Sequence, residues 1–197
     1  MEVRRRSEAL IAGLEPEDLG LQGMADASPP KWHLAHTTWF FDTFVLQPHL
    51  ATHTPCDPRW SYQFNSYYEA AGERHPRSER GLLSRPPIRE ILEWRADVDA
   101  GLTQLLGQEP TPELRTLVEL GLQHEQQHQE LLLMDLLDGF SRQPLEPTYS
   151  GDADLKTRTN PRQWLASEGG IVEIGAQNNS FHFDNETPRH RVWLDPF

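Results

Sequence analysis

The chain has 197 residues, with 30 acidic side chains against 18 lysines and arginines, for a formal net charge of −12 at neutral pH. At 37% hydrophobic and 24% charged it is globular rather than disordered in composition, and long enough for one good core and something more. The acidic balance speaks against nonspecific binding to nucleic acid or to an anionic membrane, and the single cysteine, Cys56, permits no internal disulfide, which fits a reducing compartment. The basic start, MEVRRRSEALIAG, lacks a long apolar run, and no segment reads as a signal peptide or membrane span. The cytoplasm is the expected location.

Residues 3–14 predict a short helix with Leu10, Ile11 and Leu14 as its apolar side. Ser28 before Pro29 reads as a cap followed by a first-turn proline, opening the aromatic-rich helix KWHLAHTTWFFDTFVL to about residue 47, where Pro48 limits it. Residues 49–83 form a long connection rich in prolines and polar groups, with short helical turns inside it; loops of that length are often functional. A helix follows from Pro86 or Pro87 to Gly107, carrying Ile88, Ile91, Leu92, Val98, Leu102 and Leu105 at helical spacing. The last helix starts at Thr111-Pro112 and is expected to stop at Gly139 as its C′ glycine. About four helices around one core make an up-and-down bundle the simplest packing. Beyond residue 140 come a linker and two short strands, around Ile171–Ile174 and Val192–Leu194, too few to stand alone as a sheet.

The last helix carries His124-Glu125-Gln126-Gln127-His128, in which the two histidines lie one turn apart on one face. His33 and His36, on the aromatic helix, supply candidates for a third ligand, since bundle cores commonly bring such facing side chains together on a metal. Nine histidines make chance pairs common, but these lie within apolar helices, where an imidazole needs a partner. Three neutral imidazoles suit zinc or ferrous iron. In a zinc peptidase Glu125 would be the general base. The downstream acids offered as its third ligand are Glu130, Asp135, Asp138 and Glu146. The first three ride the same rigid helix, with Asp135 and Asp138 too far along it, so the peptidase reading is weak.

The segments SPPKWHLAHTTWFFDTFVL, YQFNSYY, HPRSERGLLSRP and HEQQHQELLLMD resemble, in order, the N-terminal domain of the sulfoxide synthases of ergothioneine biosynthesis. SFHFDNETPRHRVWLDPF resembles the start of their second domain, which is similar to the formylglycine-generating enzyme. The resemblance implies a mainly α chain: a DinB-like up-and-down four-helix bundle over residues 1–147, then a short, incomplete α/β segment over 148–197. It implies Fe(2+) held by His36, His124 and His128, with His33 a neighbour. It implies small-molecule substrates: N-alpha-trimethylhistidine (hercynine), dioxygen, and a low-molecular-weight thiol, cysteine or gamma-glutamylcysteine. Arg77 and Arg80 match arginines that clamp the thiol's carboxylates, and Gln127 matches a glutamine at the substrate. Glu125 becomes an outward residue or one behind the ligands, and Trp32, Trp39, Phe40 and Phe41 core packing.

The family's catalytic tyrosine lies in a longer second domain and maps onto no residue here, so Tyr62, Tyr67, Tyr68 and Tyr149 do not take its place. The chain is expected to be either a fragment or a natural short form, with impaired turnover, completed by a missing C-terminal domain or by self-association. Two other functions compete. A DinB-like thiol transferase would use the same bundle and a divalent metal, and a noncatalytic metal-binding or interaction module would use the open strand edge.

Overall fold

The computed structural model describes residues 1–68, 72–149, 163–177 and 180–197, so most of the expected linker, residues 150–162, lies outside the described residues. The chain divides into two compact units, Met1–Asp152 and Ala153–Phe197. The first is a mainly α bundle built from α1 (Glu2–Ala9), α2 (Pro30–Phe40), α5 (Ile88–Leu106) and α6 (Pro112–Ser141). Two short helices, α3 (Gln47–His49) and α4 (Pro58–Phe64), lie between α2 and α5. Among the described residues no helix is long and apolar enough to cross a membrane.

Helix α2 is the central element, packing against both α5 and α6. Ten of its eleven residues are buried, Pro30 and Trp32 through Phe40, which explains why its sequence shows no polar face. Its N-cap is Pro29, not Ser28 as the sequence predicts. Ser28 has another use, described below. Nor does α2 run on as an α-helix to residue 47. From Phe41 to Leu46 the backbone is a π-helix, and α3 then carries one residue past Pro48. The wide turn buries Phe41, Val45 and Leu46 together with Asp42. The Asp42 carboxylate accepts from Trp94 Nε1 and from Gln47 Nε2, both at 2.7 Å.

On α5 the buried positions Ile91, Trp94, Val98, Leu102 and Leu105 follow the helical period, and Gly107 caps the end. Helix α6 starts as predicted, with the Thr111 hydroxyl accepting from Leu114 N–H at 3.3 Å and Pro112 at the first turn. It passes Gly139 and ends at Ser141, so that glycine is no C′ residue. A Cβ there would meet Leu21 Cδ2 at 2.5 Å; the glycine lets the incoming loop pack on the helix. Gly121, about five turns earlier on α6, likewise admits a close neighbour, since a Cβ there would meet the Phe41 ring at 2.7 Å.

Helix α1 departs most from its predicted form. It ends at Ala9, before the apolar residues Leu10, Ile11 and Leu14, and the side chains it buries are Arg4 and Ser7. Polar contacts, not a hydrophobic stripe, bind it to the bundle. Arg4 pairs with Asp99 on α5, and its Nη1 donates to Glu125 Oε2 on α6 at 2.9 Å. The second unit contains β1 (Gly170–Ile174) and β2 (His190–Leu194), antiparallel, with Val172 opposite Val192. Ser167 and Phe197 extend the ladder with paired backbone bonds of 2.8 and 3.1 Å.

Candidate metal centre

Helices α2 and α6 bring four imidazoles together. The candidate ligand atoms of His36, His124 and His128 lie within 4.8 Å of one another. Their ring centroids are 4.6 to 5.0 Å apart. His36 is buried, whereas His124 and His128 are partly open to solvent, so the cluster has an accessible side. His36 Nδ1 lies 2.6 Å from the Phe64 carbonyl at the end of α4, and a carbonyl can only accept. The proton therefore sits on Nδ1, and the lone pair of His36 Nε2 faces His124 Nε2 at 3.2 Å. Two imidazole nitrogens at that spacing can each reach one ion with bonds of about 2.1 Å, meeting at about 100°.

The protonation states agree with a metal site. Burial lowers His36 and His128 well below the ordinary imidazole range, and neighbouring imidazoles push the same way. His124 is pushed down to about 4 by burial. All three stand neutral near pH 7, as ligation requires. His124 Nδ1 is buried and has no hydrogen-bond partner among the described residues, so nothing there fixes its tautomer. These three residues form a histidine cluster capable of coordinating a divalent metal ion.

His33 stands behind the cluster. Its Nδ1 is 2.9 Å from His128 Nδ1, and its Nε2 is 3.1 Å from Asp135 Oδ2. Burial keeps His33 low as well, although Asp135 pulls the other way. The same Asp135 oxygen accepts from Ser28 N–H at 2.8 Å, and Ser28 Oγ accepts from Arg80 Nη1 at 2.8 Å. Trp32 stacks on His36 with centroids 4.7 Å apart, and the Arg80 guanidinium lies 3.4 Å from the Trp32 ring centre.

Arg80 belongs to a mainly basic cleft of about 500 Å³ whose lining includes Arg74, His75, Arg77, Ser66 and Tyr67, with Asp26 its one carboxylate among the described residues. It is 3% exposed, yet among the described residues it has no carboxylate within ion-pair distance. Burial, with Arg77 and Arg74 nearby, pushes its guanidinium down to about 10. Asp135 acts on it only from beyond contact range, and the Trp32 face and the Ser28 hydroxyl are direct partners, so the guanidinium has room for an anionic ligand. Arg77 is exposed and donates from Nη2 to the Tyr67 hydroxyl at 2.7 Å. Gln127 is exposed on α6, between the two histidines in sequence.

A profile of the DinB superfamily matches residues 2–132. The chain belongs to the DinB superfamily. No curated protein matches it. Within this DinB bundle, Glu125 is neither a free base nor an outward residue. Its side chain is 1% exposed. Oε1 accepts from Ser7 Oγ at 2.6 Å and from Arg95, and Oε2 accepts from Arg4. Burial would raise its carboxyl, but the Arg4 and Arg95 charges outweigh it and hold the group below its usual range. With both oxygens committed, Glu125 locks α1, α5 and α6 together.

Asp135, too far along α6 to be a ligand as the sequence indicates, nonetheless meets His33 in space, a contact the sequence does not suggest. The only signal was a shared face. Asp135 lies seven residues, two turns, after His128, so both share one face of α6.

Proposed function

We propose that this bundle is the metal-binding part of an iron(II)- and dioxygen-dependent enzyme that joins a small thiol to the imidazole of N-alpha-trimethylhistidine. The thiol is cysteine or gamma-glutamylcysteine, and the product is the sulfoxide of ergothioneine biosynthesis. One S–H and one ring C–H bond break, a C–S bond and an S–O bond form, and the four electrons removed reduce dioxygen to one water and the sulfoxide oxygen. On this reading residues 1–147 are the metal-binding domain, and residues 148–197 contribute to a domain similar to the formylglycine-generating enzyme.

The observation that carries the reading is a carboxylate-free triad of neutral imidazoles near a cleft whose buried arginine has no direct carboxylate partner among the described residues. Such a ligand set would leave positions for a thiolate and for a substrate imidazole, a fourth nitrogen. Ferrous iron, when bound, would supply the dioxygen chemistry. His36, His124 and His128 would hold it. Arg77 and Arg80 would take the thiol's carboxylates, Arg80 being oriented by Ser28 and the Trp32 face. Gln127, free on the solvent side of α6, would contact the imidazole substrate. A second reading, metal-dependent thiol transfer, is favoured by the superfamily match lying within the bundle at residues 2–132.

The test is anaerobic loading with ferrous iron, followed by dioxygen uptake and mass analysis with both substrates. Iron near one per chain, lost in His36→Ala and His124→Ala, together with sulfoxide is the expected result. Arg80→Ala should raise the KM for the thiol roughly tenfold or more and leave that for trimethylhistidine unchanged. Stoichiometric metal with thiol transfer and no dioxygen uptake would select the second reading instead.

A further inference from the structure

We infer that His33 and Asp135 are positioning residues of the metal centre, a two-step relay that sets the tautomer and aim of His128. The inference rests on the His36, His124 and His128 cluster being the metal site.

The direction of each bond follows from what the groups can do. Asp135 Oδ2 accepts Ser28 N–H at 2.8 Å, and a carboxylate oxygen receiving a backbone donor is also an acceptor toward His33 Nε2, 3.1 Å away. His33 Nε2 therefore carries the hydrogen. In a neutral imidazole the other nitrogen is then a lone pair, so His33 Nδ1 accepts. The group 2.9 Å from it is His128 Nδ1, which must donate. His128 is left with its lone pair on Nε2, the nitrogen available to an ion. His36 reaches the same state by donating Nδ1–H to the Phe64 carbonyl. Two of the three candidate ligands thus have their tautomer set from behind, one by a backbone carbonyl and one through a second histidine. Ligating histidines generally donate their other N–H in this way, and loss of the acceptor typically weakens metal binding about 10- to 100-fold.

Burial makes the relay rigid. His33 is 3% exposed, so water does not replace a lost partner. Its Nδ1 has no second donor among the described residues, and His128 Nδ1 has no second acceptor among them. The Ser28 N–H holds the far end in place, because it fixes the oxygen that His33 must reach.

The experiment uses the full chain and three proteins: wild type, His33→Phe and His33→Gln. Phenylalanine fills the space and accepts nothing. Glutamine can accept from His128 with its carbonyl and donate to Asp135 with its amide, which restores the order of the relay. Zinc affinity is measured by chelator competition, and the His128 tautomer of the metal-free protein by nitrogen-15 NMR of the imidazoles. The expected result is Nδ1–H on His128 in wild type and His33→Gln, and a mixture with Nε2–H in His33→Phe. Zinc affinity should fall about 10- to 100-fold in His33→Phe and return to within about threefold in His33→Gln. A purely structural role would lower the unfolding temperature without moving tautomer or affinity, and would overturn the inference. So would an Nε2–H tautomer in the wild type. If wild type binds no zinc, the metal reading fails separately, and the NMR tautomer still decides whether the relay exists.

Discussion

Replacing Glu125 by glutamine separates a structural role from a chemical one. Its carboxylate is 1% exposed, and the Arg4 and Arg95 side chains that it pairs with are both 0% exposed. Removing that charge leaves two buried guanidinium groups facing an amide, and one of them must lose its acceptor. Breaking a buried pair from one side costs about 3–5 kcal/mol, and the lower end, about 3 kcal/mol, applies because Arg4 keeps Asp99 and Arg95 keeps Glu8. For a unit spanning Met1–Asp152, each kcal/mol moves the midpoint by about 2–4 °C, so Tm should fall by about 10 °C. Urea titration and thermal circular dichroism of the metal-free protein measure the loss. Metal content, determined at a temperature where the variant is folded, should stay at the wild-type level. Stability within about 1 kcal/mol of wild type would refute the ion-pair assignment. A folded Glu125→Gln protein that loses its metal would place Glu125 in the site chemistry.

Gly121→Ala should destabilise the bundle by about 1–2 kcal/mol, since the rigid, buried Phe41 ring leaves no room for the new methyl and overpacking outweighs the gain in helix propensity; urea midpoints check this, and a more stable variant would contradict the packing. Cys56 is held as the thiol, because burial and Asp42 push it up to about 12. A raised pKa means less thiolate at every pH below it, so at pH 8 a disulfide reagent should react roughly 10- to 100-fold more slowly than with free cysteine. The rate should keep climbing above pH 9 instead of levelling off; a plateau there would refute the shift.

Helix placement was largely legible. The spacing of Ile91, Val98 and Leu102 on α5, and of Leu114, Val118 and Leu132 on α6, reports a buried face directly, because burial of apolar surface drives both patterning and packing. The errors fell where a polar or close contact replaces that rule. Helix α1 buries Arg4 and Ser7, which no apolar period can show. Gly139 resembles a stop signal but is a contact point for Leu21. The π-helix at Phe41–Leu46 holds a buried Asp42 whose partner, Trp94, is 52 residues away.

The sequence by itself determined the candidates: His124 and His128 share a helix face through a fixed local period, and His33 and His36 both sit in a segment too apolar to be exposed, between which only the family resemblance chose. Only the tertiary structure decided what each polar group does. Glu125 and His124 are adjacent in sequence, yet they project about 100° apart around α6, one toward two arginines and the other toward His36. Asp135 supports His128 only because His33 on α2 and Ser28 in the loop before it are brought against α6. Helical period is set by bonds four residues apart, whereas tautomer, charge state and ligand aim are set by neighbours distant in the chain, and only folding brings those neighbours together.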